Sequence, residues 1–156
     1  NRPKSRGFVE IKSNNYLDDP KIQFNYLEHE EDLQQMRDSV KIANKIFKQE
    51  SMKKYLGDQL RPGYNASDNE LDEIIRNTAD TAYHPSCTNK MGTDSMSVVD
   101  EETKVYGVES LRVIDSSIMP DILSGNLNAG TIMIAEKAAD MILGKQEAPI
   151  EANYYS

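Results

Sequence analysis

A short stretch in the middle of the chain, TAYHPSCTNKMG at residues 81–92, carries residue types capable of chemistry. His84 is one of two histidines, and Cys87 is the single cysteine. An imidazole can act as a general base, whereas a thiol nucleophile needs a base held beside it. The other histidine, His29, lies among acidic residues and offers Cys87 no such base. A structural role for His84 stays open, because a histidine near a helix end often satisfies the helix dipole.

A second group of polar residues lies nearer the end of the chain. Asn126 and Asn128 stand in SGNLNAGT, just before an apolar stretch, and Asp115 precedes Ser116. Asparagine and aspartate are common in turns because their side chains hydrogen-bond the local backbone. Taken singly, each of these residues is explained by local structure as well as by chemistry.

Composition excludes several classes of function. The formal net charge of −8 disfavours nucleic acid as a partner, because phosphate binding depends on Lys and Arg. One cysteine and two distant histidines offer no metal-ligand spacing, so no metal is expected. None of the eight glycines forms G-x-G, which leaves these residues without a dinucleotide fingerprint. No apolar run approaches the ~20 residues of a membrane-spanning helix, and we expect a cytoplasmic location, with peripheral attachment at the inner membrane left open.

The elements that must position these residues follow from hydrophobic periodicity. GFVEIKS and KIQFNYL alternate apolar and polar residues, which predicts two half-buried strands, and the turn formers between them favour an antiparallel pair. Apolar residues spaced by three and four predict a helix over 30–49. Ser67 and Glu70 form a capping box that predicts a second helix, ending at the His84 motif.

The last third of the chain combines short extended segments with one helix. Residues 97–120 predict short strands separated by acidic turns, the last of them at Val113 and Ile114. Residues 131–143 are nearly all apolar or small, which predicts a mostly buried helix that Gly144 closes.

Three long segments together resemble the C-terminal region of the glucose-methanol-choline (GMC) oxidoreductases. They are SRGFVEIKS with KIQFNYLEHEEDLQQMRDSVKIAN, then TAYHPSCTNKMGTDSMSVVDEETKVYGVESLRVIDSSIMP, and SGNLNAGTIMIAEKAADMILG. The similarity runs from Ser5 to Gly144 and is greatest to members that oxidise choline. It implies FAD-dependent oxidation of choline to betaine aldehyde. The family's G-x-G-x-x-G element belongs to an N-terminal FAD domain, so we expect this chain to be a fragment.

The resemblance also implies roles by position. His84 matches the catalytic histidine of the family's HP motif, and Asn128 matches its second active-site residue. Tyr83 matches an aromatic residue that lines the choline site. Four residues would contact FAD: Asp115 near its sugar-phosphate region, and Ala129, Gly130 and Thr131 through backbone amides facing the flavin's pyrimidine oxygen.

Two motifs depart from the family pattern. Gly130 replaces the proline of NAPT, and Asn89 replaces the cysteine of TCKMG. Glycine lacks the fixed backbone angle of proline, so the departure at Gly130 puts the rigidity of that loop in doubt more than the chemistry.

The implied fold is α+β, an antiparallel sheet with flanking helices. Residues 1–90 would form part of the substrate-binding domain, 91–144 the remaining strands and the return segment to the FAD domain with its last helix, and 145–156 a tail. We expect the chain alone to be inactive and without FAD. Apolar surface left uncovered over 131–143, together with the strand edge near Val113, would favour self-association.

Two other functions stay open at this point. The chain could belong to a sister enzyme that oxidises another primary alcohol, which substrate selectivity of the full enzyme would show. It could also be a non-catalytic interaction module on the same scaffold. The module predicts a closed, well-packed surface around Asn128 and Thr131 instead of an exposed apolar patch.

Overall fold

A computed structural model describes residues 2–60 and 66–145. These residues divide into two compact units, one formed by Pro3–Ala82 and the other beginning at Tyr83. The predicted boundary between the substrate-binding part and the return segment, at 90–91, stays a prediction. The predicted tail, beyond Lys145, lies outside the described residues.

The first unit opens with the predicted antiparallel pair. Strand β1, Phe8–Glu10, pairs with β2, Lys21–Gln23, with Val9 opposite Ile22. The pairing is confirmed, but the predicted half-burial is wrong, because all six residues are exposed. A two-stranded ribbon has two faces, and the described residues of this unit leave both in solvent.

Two helices form the core of the first unit. Helix α1 is Glu30–Phe47 and is followed by a 3₁₀ helix at Glu50–Tyr55, and helix α2 is Asp68–Thr78. Both predicted helices are confirmed, and so is the capping box of Ser67 and Glu70. Leu33 on α1 packs with Leu71 and Ile75 on α2, and burying each such side chain stabilises the unit by about 1.5–3 kcal/mol.

A buried carboxylate ties the start of the chain to α1. Asp32 is 6% exposed and accepts hydrogen bonds from the backbone amides of Lys4 at 2.8 Å and Ser5 at 2.7 Å, and from the Ser5 hydroxyl. Burial raises the pKa of the Asp32 carboxyl, but the bonds from Ser5 and Lys4 outweigh it, and the pKa lies below its usual value. The ionised carboxylate therefore stabilises the fold.

Asp32→Asn is expected to lower the free energy of unfolding by about 1–3 kcal/mol at pH 7, because an amide group would place a donor against a backbone donor. A folded-state pKa below the unfolded value of about 3.9 gives stability that is present above that pH and is lost as pH falls further. The difference between the two proteins should therefore shrink in urea unfolding at pH 3. Asp38→Asn is the control, because Asp38 is exposed and accepts from Gln34 on the same helix. Equal losses in both variants would contradict the assignment.

Isolated bridges replace the strands predicted for residues 97–120. Val99, which is fully buried, pairs with Met91 on one side and Val105 on the other, and Lys104 pairs with Arg112. The short strands predicted here are reduced to single bridges, because the acidic turns leave only one pairing between them. The alternation of extended and turn segments is confirmed.

Helix α3, Leu127–Ile142, begins four residues earlier than predicted. Leu127 and Ala138 are buried, but Ile132 is 53% exposed and Met133 is 61% exposed. The prediction of a mostly buried helix is therefore wrong for this chain, whereas the predicted uncovered apolar surface over 131–143 is confirmed. At the strand edge near Val113, which the sequence also predicts to be uncovered, Val113 is half-buried and donates its amide to the Thr103 carbonyl.

The described residues form helices and a two-stranded antiparallel sheet, so the observed fold class is α+β, as predicted. Within residues 2–60 and 66–145, every helix is too short or too polar to cross a membrane.

Candidate active site

The segment that follows His84 is fastened to a short turn by main-chain hydrogen bonds. We call residues 83–91 the histidine loop, and the 3₁₀ turn Ser116–Ile118 the serine turn. The amides of Cys87, Asn89 and Met91 donate in succession to the carbonyls of Ser116, Ser117 and Ile118, at 3.3, 3.0 and 2.8 Å. Alternate residues of the loop therefore face successive residues of the turn, which fixes the register between them.

Side chains add to this attachment. The Ser116 hydroxyl donates to the Pro85 carbonyl at 3.3 Å, directly after His84. The Asn89 amide Nδ2 donates to Ser117 Oγ at 3.0 Å. Asp115 starts the serine turn, because its Oδ1 accepts from the Ser117 amide at 2.7 Å.

The backbone of the histidine loop is held in an uncommon conformation. Tyr83 has φ of 58° and Cys87 has φ of 70°, in the left-handed region that non-glycine residues seldom occupy. Such angles cost about 1–3 kcal/mol each and persist where the surroundings over-determine them. For Cys87, the hydrogen bonds to the serine turn hold the backbone in this conformation. His84 and Pro85 lie between these two positions, and both are exposed.

Asn128 lies in the first turn of α3. The N-cap is Asn126, whose side chain makes no capping hydrogen bond, and the first turn holds no acidic residue. Helices α1 and α2 differ in both respects, since each has a side-chain cap and acidic residues in its first turn. The first amides of α3 thus keep the donors and the positive dipole end that α1 and α2 satisfy internally. Asn128 itself is exposed.

The earlier start of α3 changes the predicted set of flavin-facing amides. In a helix that begins at Leu127, the free donors are those of Leu127, Asn128 and Ala129, while later amides point back to carbonyls one turn earlier. The Thr131 hydroxyl also turns inward and donates to the Leu127 carbonyl at 2.9 Å. Ala129 keeps the predicted donor, whereas the amides of Gly130 and Thr131, one and two residues further on, bond to carbonyls of the preceding turn in such a helix.

Gly130 has a packing role that its missing side chain explains. A Cβ atom there would lie 2.6 Å from Leu123 Cδ1 and 3.3 Å from Met119 Cε. Met119 directly follows the serine turn and is 4% exposed, and the serine turn contacts α3. The start of α3 therefore packs against the segment that begins with the serine turn.

These contacts connect the two predicted catalytic residues to the serine turn. The histidine loop is bonded to the serine turn, and the serine turn and Met119 contact α3 near Asn128. Within residues 2–60 and 66–145, the side chains of His84 and Asn128 make no hydrogen bond, so both are open to an incoming molecule. An exposed imidazole and an exposed amide on one support could meet at a single substrate oxygen.

The donor set at the start of α3 suits an FAD group. Uncapped amides at Leu127–Ala129 can donate to a ring oxygen that gains negative charge on reduction. Asp115, by contrast, already accepts from the Ser117 amide and is exposed, so its structural role in the serine turn is established by contact. A role for Asp115 beside the FAD sugar stays a prediction.

Sequence reasoning missed the residues that hold the histidine loop. Ser116, Ser117 and Asn89 make the side-chain and backbone bonds described above. The sequence held one signal of this kind: Asn89, with its amide group, stands where the family's TCKMG has a cysteine. Nothing local links Asn89 to a serine 28 residues away.

A concavity of about 700 Å³ lies elsewhere in the second unit. It is lined by residues of the 104–112 segment and by Ile142 at the end of α3. None of its lining residues is a predicted site residue. The concavity therefore includes neither the histidine loop nor the start of α3.

The comparisons with known proteins agree on one family. A family model described as GMC oxidoreductase matches residues 3–135. An oxygen-dependent choline dehydrogenase of Pseudomonas aeruginosa is 52% identical over 156 residues, which covers 99% of this chain and 28% of that protein. Another of the same name, from Vibrio vulnificus, is 52% identical over 152 residues, covering 96% and 27%. The chain thus spans about 28% of the length of the curated relatives it matches.

Solved structures of similar fold come from related oxidoreductases. A pyridoxine 4-oxidase from Mesorbium loti superposes with a TM-score of 0.85 at 29% identity, covering 94% of this chain and 29% of that one. An FAD-dependent oxidoreductase from Chaetomium thermophilum gives 0.84 at 36% identity, covering 92% and 25%.

Proposed function

Because the chain belongs to the GMC oxidoreductase family, we propose that it is the C-terminal part of an FAD-dependent dehydrogenase that oxidises choline to betaine aldehyde, a step in glycine betaine synthesis. The observation that carries the proposal is the 52% identity, over 99% of this chain, with a protein named as an oxygen-dependent choline dehydrogenase. The histidine loop and the start of α3, joined through the serine turn, supply the groups that this reaction needs.

The alcohol proton sets the main demand on these residues. A hydroxyl as weakly acidic as that of water has a pKa about 9 units above that of an ordinary imidazole, so full proton transfer is uphill by ~12 kcal/mol. A base alone cannot supply this free energy. His84 would accept the proton while the Asn128 amide donates a hydrogen bond to the same oxygen as its charge develops. The shared support of the two residues favours such convergence on one atom.

FAD, when bound, supplies the acceptor for the hydride. We assign Ala129 and the neighbouring first-turn amides to its ring oxygen, and, as the resemblance implies, Gly130, Thr131 and Asp115 to other contacts with it. The N-terminus of α3 would favour the negative charge of the reduced ring.

Tyr83 is the residue of this chain best suited to the choline headgroup. A quaternary ammonium has no N–H donor, so aromatic faces and carboxylates hold it. Tyr83 directly precedes His84, and its side chain is 77% exposed. An aromatic face beside the base would place the cation so that the alcohol end of choline points to His84.

The exposed apolar surface of α3 is the proposed contact with the N-terminal FAD domain of the same enzyme. Ile132, Met133, Ile142 and Leu143 are all more than half exposed. This surface also weighs against the interaction-module alternative, which predicts tight packing around Asn128 and Thr131, since Asn128 is exposed and Thr131 is half-buried.

The isolated chain is expected to self-associate and to bind no flavin. Native mass spectrometry at rising concentration should show dimers or larger species, and the spectrum should lack flavin absorbance. Ile132→Glu should restore a monomer, because a charge on an exposed apolar face disfavours association. Ile11→Glu is the matched control, since Ile11 is 89% exposed in the other unit. A monomeric wild-type chain, or stoichiometric FAD on it, would count against the proposed domain contact.

The substrate is tested on the full-length enzyme. Purified holoenzyme should turn over choline with a higher kcat/KM than an aryl alcohol or pyridoxine, the substrates that the names of two structural relatives suggest. Preference for another primary alcohol would favour the sister-enzyme alternative. Absence of flavin and of any alcohol turnover would favour the interaction module.

A further inference from the structure

Ser117 is the residue at which the contacts of the candidate site converge. Its amide donates to Asp115 Oδ1 at 2.7 Å, and its carbonyl accepts from the Asn89 amide at 3.0 Å. Its hydroxyl accepts from Asn89 Nδ2 at 3.0 Å. Every polar atom of Ser117 is therefore engaged, and two of the three bonds go to one residue of the histidine loop.

We propose that Asn89 and Ser117 form a positioning pair that sets where His84 stands relative to Asn128. The inference rests on the proposed function and goes beyond it, because neither residue needs to touch substrate or FAD. The pair acts through the backbone: Asn89 fixes the loop that carries His84, and Ser117 fixes the turn that packs toward α3.

The geometry gives the pair this role and not a merely local one. Asn89 and Ser117 are both half-buried, so water competes less with their hydrogen bond than on an open surface. The loop also contains Cys87 with φ of 70°, a conformation that relaxes unless neighbouring bonds hold it. The bonds at Asn89 lie two residues further along the same ladder.

The other side of the pair is anchored in the core. Ile118 is 1% exposed and Met119 is 4% exposed, so the serine turn cannot shift without moving buried side chains. Met119 and Leu123 stand where a side chain of Gly130 would be, directly beside the first turn of α3. Displacement of the loop relative to the turn therefore becomes displacement of His84 relative to Asn128.

A displacement of this kind has a large effect on rate. Two groups that must meet at one oxygen tolerate little misplacement, and an error of about 1 Å can cost on the order of 10²-fold in rate. Ground-state binding of choline, by contrast, depends on contacts that do not require both groups to meet. The expected signature is a change in kcat with little change in KM.

The test uses the full-length enzyme with Asn89→Ala, Ser117→Ala and the double variant. Each single variant should lower kcat by about 10- to 100-fold with KM changed by less than about 3-fold. The double variant should lose no more than the larger single loss, because both remove the same interaction. Ser117→Thr keeps the hydroxyl and should retain kcat within about 3-fold.

Tyr106→Phe is the matched control. Tyr106 is in the same unit, and its hydroxyl donates to the Gly92 carbonyl at 2.9 Å, one residue beyond the histidine loop. The variant loses one hydrogen bond near the loop without touching the serine turn, and its kcat should stay within about 3-fold of wild type. Single variants that keep full kcat, additive losses in the double variant, or an equal loss in Tyr106→Phe would overturn the proposal.

A second measurement separates this inference from the proposed function. Hydrogen exchange followed by mass spectrometry on the full-length protein reports the amides of Cys87, Asn89 and Met91 without any need for turnover. Their exchange should be at least about 10-fold faster in Asn89→Ala and Ser117→Ala, and unchanged in Tyr106→Phe. If the wild-type enzyme oxidises no alcohol, the proposed function fails. Unchanged hydrogen exchange in the two alanine variants would overturn the positioning pair, whatever the activity of the enzyme.

Discussion

Replacing His84 with alanine in the full-length enzyme is expected to lower kcat for choline by about 10²- to 10⁴-fold, the usual contribution of a positioned general base. The imidazole is exposed and stands between two left-handed residues of a loop that is bonded to the serine turn, so its removal takes away a proton acceptor and little packing. Stopped-flow measurement of flavin reduction by choline would report the loss at the chemical step. Thermal unfolding should change little.

The other histidine of this chain provides the control. His29 caps α1, where its Nδ1 accepts from the Glu31 amide at 3.3 Å. His29→Ala should lower stability by about 1 kcal/mol, the usual cost of a lost helix cap, and leave kcat within about 2-fold. A His84→Ala enzyme that reduces its flavin at the wild-type rate would remove the histidine from the mechanism.

Asn128→Ala is expected to lower kcat by about 10²- to 10³-fold, because it removes a donor aimed at a developing oxyanion. KM for choline should change much less, since the hydrogen bond strengthens as the proton leaves. The side chain is exposed on the first turn of α3, and its truncation opens no cavity in the described part of the chain. Steady-state kinetics over a range of pH would separate kcat from KM.

Asn126→Ala is the matched control for this variant, since the two asparagines lie two residues apart. Asn126 is the N-cap of α3, and its side chain makes no capping hydrogen bond. Its truncation should change kcat by less than about 3-fold. Similar losses at both asparagines would mean that the start of α3 matters as a whole and that Asn128 has no special contact with the reacting oxygen.

Local sequence signals predicted the elements whose causes are local. Ser67 and Glu70 are three residues apart, so their reciprocal hydrogen bonds follow from spacing alone. The acidic first turn and the three- and four-residue apolar spacing likewise placed α1 at Glu30. The turn formers between β1 and β2 made the antiparallel pair the economical connection, as observed.

Features that depend on distant partners were out of reach of that reasoning. Burial of α3 was predicted from its apolar composition, but its outer face needs a surface that these residues do not contain. The start of α3 lacks the capping signals that mark α2, so sequence pattern alone does not distinguish its first turn from a loop. The bond between Asn89 and Ser117 joins residues far apart in sequence, and pattern reasoning has no access to such a pair.

The attachment of the histidine loop is made largely by main-chain atoms, with Pro85 contributing only its carbonyl. The side chains of Ser86 and Thr88 take no part in the bonds to the serine turn, so they can vary without unfastening the loop, as long as the backbone angles are kept. In the proposed enzyme, substitutions at the entrance of the site can change which alcohol binds while His84 keeps its position. Directed evolution of substrate preference in the full-length enzyme should accordingly find productive substitutions at Ser86 and Thr88.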